Sequence, residues 1–173
     1  MTLHLRSQSG PLTTVTTADL DGRTVVRATI DPTEELSTLS TADALSLAEA
    51  VAAAREQGLP FVGVLSLSGV AVDEGLDVAA AWGRAANELV RASGVIPLFI
   101  VAHGPMVSGP ALLLALADIV IFTTEAYAFV SGPKMVEAYT GEPVTNNNLG
   151  GAGAHARSTG LASVVVDTVE GGM

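Results

Sequence analysis

Cysteine is absent from all 173 residues, which excludes disulfides, thiolate nucleophiles and thiolate metal ligands. Lysine occurs once, at Lys134, and the formal net charge is −10. The clustered cations that a phosphate backbone demands are therefore missing, and a nucleic-acid partner is not expected. Long apolar runs are missing too. Val95–Ala102 and Ala111–Ala117 fall well short of the roughly 20 residues that a membrane-spanning helix needs. Met1–Ser9 has no apolar core of signal-peptide length, so a cytoplasmic protein is expected. Paired carboxylates, His-rich metal spacing and a GxSxG elbow are likewise missing, and no metal site is expected.

What is present is apolar bulk. Hydrophobic residues make up 49% of the chain against 15% charged, with a mean hydropathy of +0.47. That is more apolar surface than one small globule usually hides, so an oligomer interface is expected. The length suits one domain spanning residues 1–173.

Along the chain, Thr13–Ala18 and Thr24–Ile30 are β-rich runs around Asp21-Gly22, the signature of a tight hairpin. Asp31–Leu39 reads as a loop. Ser40 or Thr41 then caps a helix ending near Gln57 with Gly58 as its stop, and Leu45, Ala48 and Ala52 are expected on its buried face. Phe61–Leu65 predicts a buried strand and Leu67–Gly75 a loop. Leu76–Ser93 predicts an amphipathic helix, with Val78, Trp82, Ala85 and Leu89 at helical spacing. Asp73, Glu74 and Asp77 are expected to complement its dipole. Pro97–Ala102 predicts a strand, Gly104–Gly109 a tight turn and Pro110–Leu116 a helix. Short strands at Ile119–Thr123, Tyr127–Val130 and Ser163–Val166 are separated by short helices from Pro133 and Thr145. Strands alternating with helices imply an α/β layer fold with mostly parallel strands and sites in the loops at strand ends.

Two turns could carry chemistry: Ser66-Leu67-Ser68-Gly69-Val70, and Gly104-Pro105-Met106-Val107-Ser108-Gly109-Pro110, which feeds a helix N-terminus. Backbone N–H groups aimed from both at one point would stabilise an oxyanion, with the helix dipole adding to the field. The plainer alternative is ordinary strand-to-helix punctuation. His103, just before the second turn, is a candidate general base or a histidine tying the turn to a carbonyl. His155 is expected to cap or pack. Lys134 could meet a phosphate or a partner carboxylate, or stay solvated. Met106, Val107 and Phe129 are candidates to line a pocket, although such residues also build cores.

The run from Arg91 to Asp167, with FVSGPKMVEAYTGEPVT followed by LGGAGAHARSTGLA, resembles the N-terminal domain of acyl-CoA carboxylase carboxyltransferase β-subunits. With a weaker match over Gly22–Gly75, the likeness covers most of the chain. It implies a crotonase-type spiral of ββα units, an acyl-CoA cleft, and a partner that brings carboxybiotin across a subunit interface. The family's second turn, Gly-Pro-Cys-Ala-Gly-Gly-Ala, ends here in Ser108, Gly109 and Pro110. The first, Asp-Ser-Gly-Gly-Ala-Arg, corresponds to Ser66–Ala71, with Ala71 in place of arginine. The acidic stretch Asp31–Ser37, with Glu34 and Glu35, replaces a glycine-rich stretch near the CoA site.

The resemblance thus implies an acyl-thioester-binding subunit acting in biotin-linked carboxyl transfer to, or decarboxylation of, an acyl-CoA. Its oxyanion hole would be the amides of Gly69, Val70, Ser108 and Gly109. No cofactor is expected to bind tightly, because biotin would come from a partner. A carboxyltransferase C-domain-type subunit and a biotin carrier are the expected associates, in a homo- or hetero-oligomer. Two alternatives stay open: a noncatalytic assembly protein that kept the fold, and a stand-alone crotonase-type hydrolase or isomerase using His103. Enoyl hydration is disfavoured, since Pro110–Leu116 holds no acid and Lys134 follows Pro133.

Overall fold

The computed structural model describes residues 10–31 and 38–172. Strands β1 (Thr13–Leu20) and β2 (Arg23–Ile30) pair antiparallel. Asp21 and Gly22 join them at φ of 50° and 80°, the left-handed pair that a two-residue hairpin turn requires. Helix α1 (Thr41–Gln57) starts at Ser40, whose hydroxyl accepts the Asp43 N–H, and ends at Gly58 with φ 66°. Its buried residues are Ala44, Leu47, Ala48, Ala50, Val51 and Ala54 together with Asp43 and Ser46, whereas Leu45 and Ala52 are only half-buried. The single stripe expected for α1 is replaced by a broad apolar surface, because α1 packs on β1, β2 and β3 and also on α2 (Leu76–Ala92).

Strands β3 (Phe61–Leu67), β4 (Leu98–Val107), β5 (Ile119–Thr123), β6 (Tyr127–Phe129) and β7 (Val164–Val166) complete one sheet in the order β1-β2-β3-β4-β5-β7, with β6 pairing only with β4. All pairings after the hairpin are parallel, which gives the mixed α/β architecture expected. Side-chain alternation divides the strands between two faces. Phe61, Leu65, Leu98, Ile100 and Ala102 join the main core with α1 and α2. Val25, Val62, Val64, Val101 and Ile121 form a smaller cluster on the other face. Among the described residues, no helix is long and apolar enough to cross a membrane.

Where the sequence suggests a turn over Gly104–Gly109, β4 runs on to Val107. It leaves β5 after Ala102 and pairs Pro105, Met106 and Val107 with Tyr127, Ala128 and Phe129 of β6. The register with β3 shifts between Leu65 and Leu67 at the same level. Gly104 is needed there because a Cβ would overlap Ser66 Oγ. The turn itself is confined to Ser108, at φ 63° and ψ −130°, after which α3 spans Gly109–Leu114. Helices α4 (Pro133–Thr140) and α5 (Asn146–Gly150) follow β6.

Candidate functional site

The chain beyond β3 is held by a parallel bridge between Leu39 and Val70. The Leu39 N–H donates to Gly69 O at 2.9 Å and the Ala71 N–H to Leu39 O at 2.9 Å. Successive amides of an extended segment point to opposite sides, so the Val70 N–H turns away from Leu39. Gly69 itself sits at φ 149°, which favours glycine.

On the second turn, the Ser108 N–H donates to Phe129 O at 2.9 Å. The expected Ser108–Gly109 donor pair is therefore corrected: the Ser108 amide is used to tie β4 to β6, and the donor left on this turn is that of Gly109. Helix α3 is only 6 residues long, so the amides rather than a macrodipole carry the electrostatics. The two turns meet. A Cβ placed on Gly109 would lie 3.6 Å from Val70 Cγ1 and 3.4 Å from Trp82 Nε1. The Val70 side chain and the indole of Trp82 on α2 thus pack against Gly109, which brings the two turns together. Ser108 adopts a backbone that residues with a side chain rarely adopt, at an expected cost of about 1–3 kcal/mol. Its bond to Phe129 O compensates and fixes the direction of the Gly109 amide.

His103 is not brought to this contact. Leu98, Ile100 and Ala102 face the helices, and strict alternation puts His103 with Val101 on the opposite face of the sheet. There its Nε2 stands 4.0 Å from Asp31 Oδ1. Burial pushes its pKa down; the Asp31 carboxylate opposes this and Arg27 adds to it. His155 is structural, as expected. Its Nε2–H donates to Ala128 O at 2.9 Å, since a carbonyl can only accept, and its Nδ1 lies 2.8 Å from Thr159 Oγ1.

Met106 is fully buried in the core, so the expectation that it lines a pocket is corrected. Val107 and Phe129 are half-buried, and Lys134 is exposed in the first turn of α4. Glu74, expected to serve α2, instead accepts the Thr41 N–H of α1 at 2.7 Å. This contact with Thr41 holds its carboxyl below the usual range. The acidic loop falls outside the described residues except for the exposed Asp31.

Residues 14–173 match the carboxyl transferase domain. The chain belongs to the carboxyl transferase domain family. This carboxyl transferase domain is 33% identical over 162 residues to the propionyl-CoA carboxylase beta chain of Rhodococcus erythropolis, covering 94% of this chain and 34% of the relative. It is 34% identical over 144 residues to the methylmalonyl-CoA decarboxylase subunit alpha of Veillonella parvula, covering 83% of this chain and 28% of the relative. The chain spans about a third of the length of the curated relatives it matches.

Among solved structures, a transcarboxylase 12S hexamer with methylmalonyl-coenzyme A and methylmalonic acid bound superposes with a TM-score of 0.87 at 29% identity, covering 91% of this chain and 31% of that one. A Pseudomonas malonate decarboxylase heterodimer shares the fold, with a TM-score of 0.78 at 24% identity over 94% of this chain and 72% of that one. The neighbours are crotonase-fold carboxyltransferases, in agreement with the fold class read from the sequence. Trp82 is the contact of Gly109 in this carboxyl transferase domain that the sequence did not disclose. At helical spacing it reads as core, and only the packing puts its nitrogen against Gly109.

Proposed function

We propose that this domain forms the acyl-CoA-binding half of a carboxyltransferase or decarboxylase site. The Val70 and Gly109 amides hold the thioester carbonyl oxygen, and Gly69 gives the first turn its shape. Loss of the carboxyl group as CO2, or loss of the α-proton to a base on the partner's side of the site before a carboxyl group is accepted, leaves negative charge on that oxygen as an enolate. Preorganised amides in a part-buried site stabilise this charge without reorganisation. No side chain of this chain is needed as a nucleophile. Val107 and Phe129 flank the acyl group, and exposed Lys134 meets a CoA phosphate or a carboxylate of the partner. His103, on the other face of the sheet, takes no part.

A carboxyltransferase C-domain-type surface completes the site from a partner, in a homo- or hetero-oligomer. Biotin, borne by a carrier, would supply or receive the carboxyl group. An enzyme of CoA thioesters in this arrangement belongs in the cytoplasm.

The observation that carries the reading is the packing of Val70 against Gly109, which brings the two amide-bearing turns together. Calorimetric titration with acetyl-, propionyl- and malonyl-CoA tests it, with the protein alone and with its copurifying partner. Gly109→Pro removes the amide donor and is expected to weaken binding about five- to tenfold, the worth of a hydrogen bond to a neutral carbonyl. The noncatalytic assembly reading is favoured by one observation, the engagement of the Ser108 amide by Phe129 O. Absence of saturable binding in both states would establish that alternative.

A further inference from the structure

Helices α1 and α2 pack side by side and leave an open groove of about 460 Å3, with Leu45, Ala80 and Ala81 as its apolar lining and Glu74, Asp77 and Arg84 as its charged residues. Asp77 and Arg84 are two turns of α2 apart, so they stand on one line of the helix, acid first and base second, about 10 Å from each other. Both are exposed, and neither forms an ion pair among the described residues.

Helix α4 has the complementary form. Met135 and Tyr139, 62% and 93% exposed, make one apolar stripe. Lys134 and Glu137 are exposed too and form no ion pair among the described residues. They lie along one flank of that stripe with the base first and the acid second, the reverse of the order on α2.

We propose that α4 of one copy of this chain seats in the α1–α2 groove of a second copy. Met135 and Tyr139 enter between Leu45, Ala80 and Ala81, Lys134 meets Asp77 and Glu137 meets Arg84, so that α4 lies parallel to α2. An amphipathic helix laid in an apolar groove is a recurrent mode of recognition, and the unbranched methionine side chain adapts to irregular surfaces. Lys134 and Glu137 are about 5 Å apart along their helix against about 10 Å for their partners, and the long stems of Lys134 and Arg84 span the difference. Helix and groove are different surfaces of the chain, so the contact is head-to-tail and association continues beyond a dimer unless it closes into a ring. None of this depends on the thioester reading above.

Complementation between two defective copies tests the contact. The double variant Met135→Glu, Tyr139→Glu spoils the helix and keeps the groove. Ala80→Glu fills the groove and keeps the helix, and because Ala80 is exposed its melting temperature should match the wild type. At concentrations where the wild type associates, each variant alone is expected to sediment as a monomer and a 1:1 mixture as a heterodimer and nothing larger. A mixture that stays monomeric, an Ala80→Glu protein that associates like the wild type, or a wild type that is itself monomeric overturns the proposal. Charge reversal checks the pairing independently. Asp77→Lys and Lys134→Glu should each weaken association about two- to fivefold, the worth of an exposed ion pair, and the two on one chain should restore it to within twofold of the wild type. Losses that add instead of cancelling would overturn the pairing.

Discussion

The Ser108 amide shows how one backbone angle decides what a turn can do. A serine at φ 63° and ψ −130° is strained, and the strain turns its own N–H onto Phe129 O while exposing the next amide. The sequence discloses the glycines of this turn but not which amide remains, because that depends on where β6 lies. His103 is a similar case. Its position before the turn invites a catalytic role, and only strand alternation shows that it faces Asp31 and Arg27 across the other side of the sheet. A histidine whose pKa is lowered on folding binds fewer protons folded than unfolded, so its contribution to stability rises with pH. That contribution is fully present above about pH 6.5, the unfolded value, and is lost as pH falls through the lower folded value. The melting-temperature advantage of the wild type over His103→Gln should therefore shrink between pH 7.5 and 5; a constant difference would contradict it.

At the scale of elements, hairpins and caps were legible and strand ends were not. Asp21-Gly22, Ser40 and Gly58 specify their geometry through local chemistry, and each appears as read. β4 did not, because Gly104 and Pro105 carry the local signature of a turn while their pairing with Tyr127 is long-range. Asp43 illustrates a third situation, in which an acid in a helical first turn becomes a hub. It is fully buried, and its Oδ1 accepts the Leu12 N–H at 3.0 Å and the Thr13 hydroxyl at 2.8 Å. Its Oδ2 accepts the Ser40 hydroxyl. These bonds tie the start of β1 to the start of α1, and Gly10 fits against Asp43 only because it lacks a Cβ. Asp43→Ala would leave several buried donors unmet and should destabilise the protein by about 3 kcal/mol, measurable as a drop in the urea midpoint without a change in slope.

For the whole molecule, the excess of apolar residues has two destinations. One is the continuous core around α1, α2 and the sheet. The other is the surface, where Leu76 is 87%, Met135 62% and Tyr139 93% exposed. Helix α4 is the sharpest instance: it has 8 residues and buries none of them. So short a helix is marginal in water on its own, since most helical stability in proteins comes from a packed face. Met135 and Tyr139 are four positions apart and share a side of the helix, which begins four residues after Phe129, the residue that fixes the Gly109 turn. A surface that is apolar, bare and beside the site is where an associating subunit would rest, and it is also where copies of the isolated chain would meet. Sedimentation of the wild-type protein should show concentration-dependent association. The double variant Met135→Glu, Tyr139→Glu should be monomeric at the same concentrations with an unchanged melting temperature, because neither side chain contributes to the core. A variant that associates as strongly as the wild type would show that α4 is not the contact, and the interface would then have to be sought around Leu76.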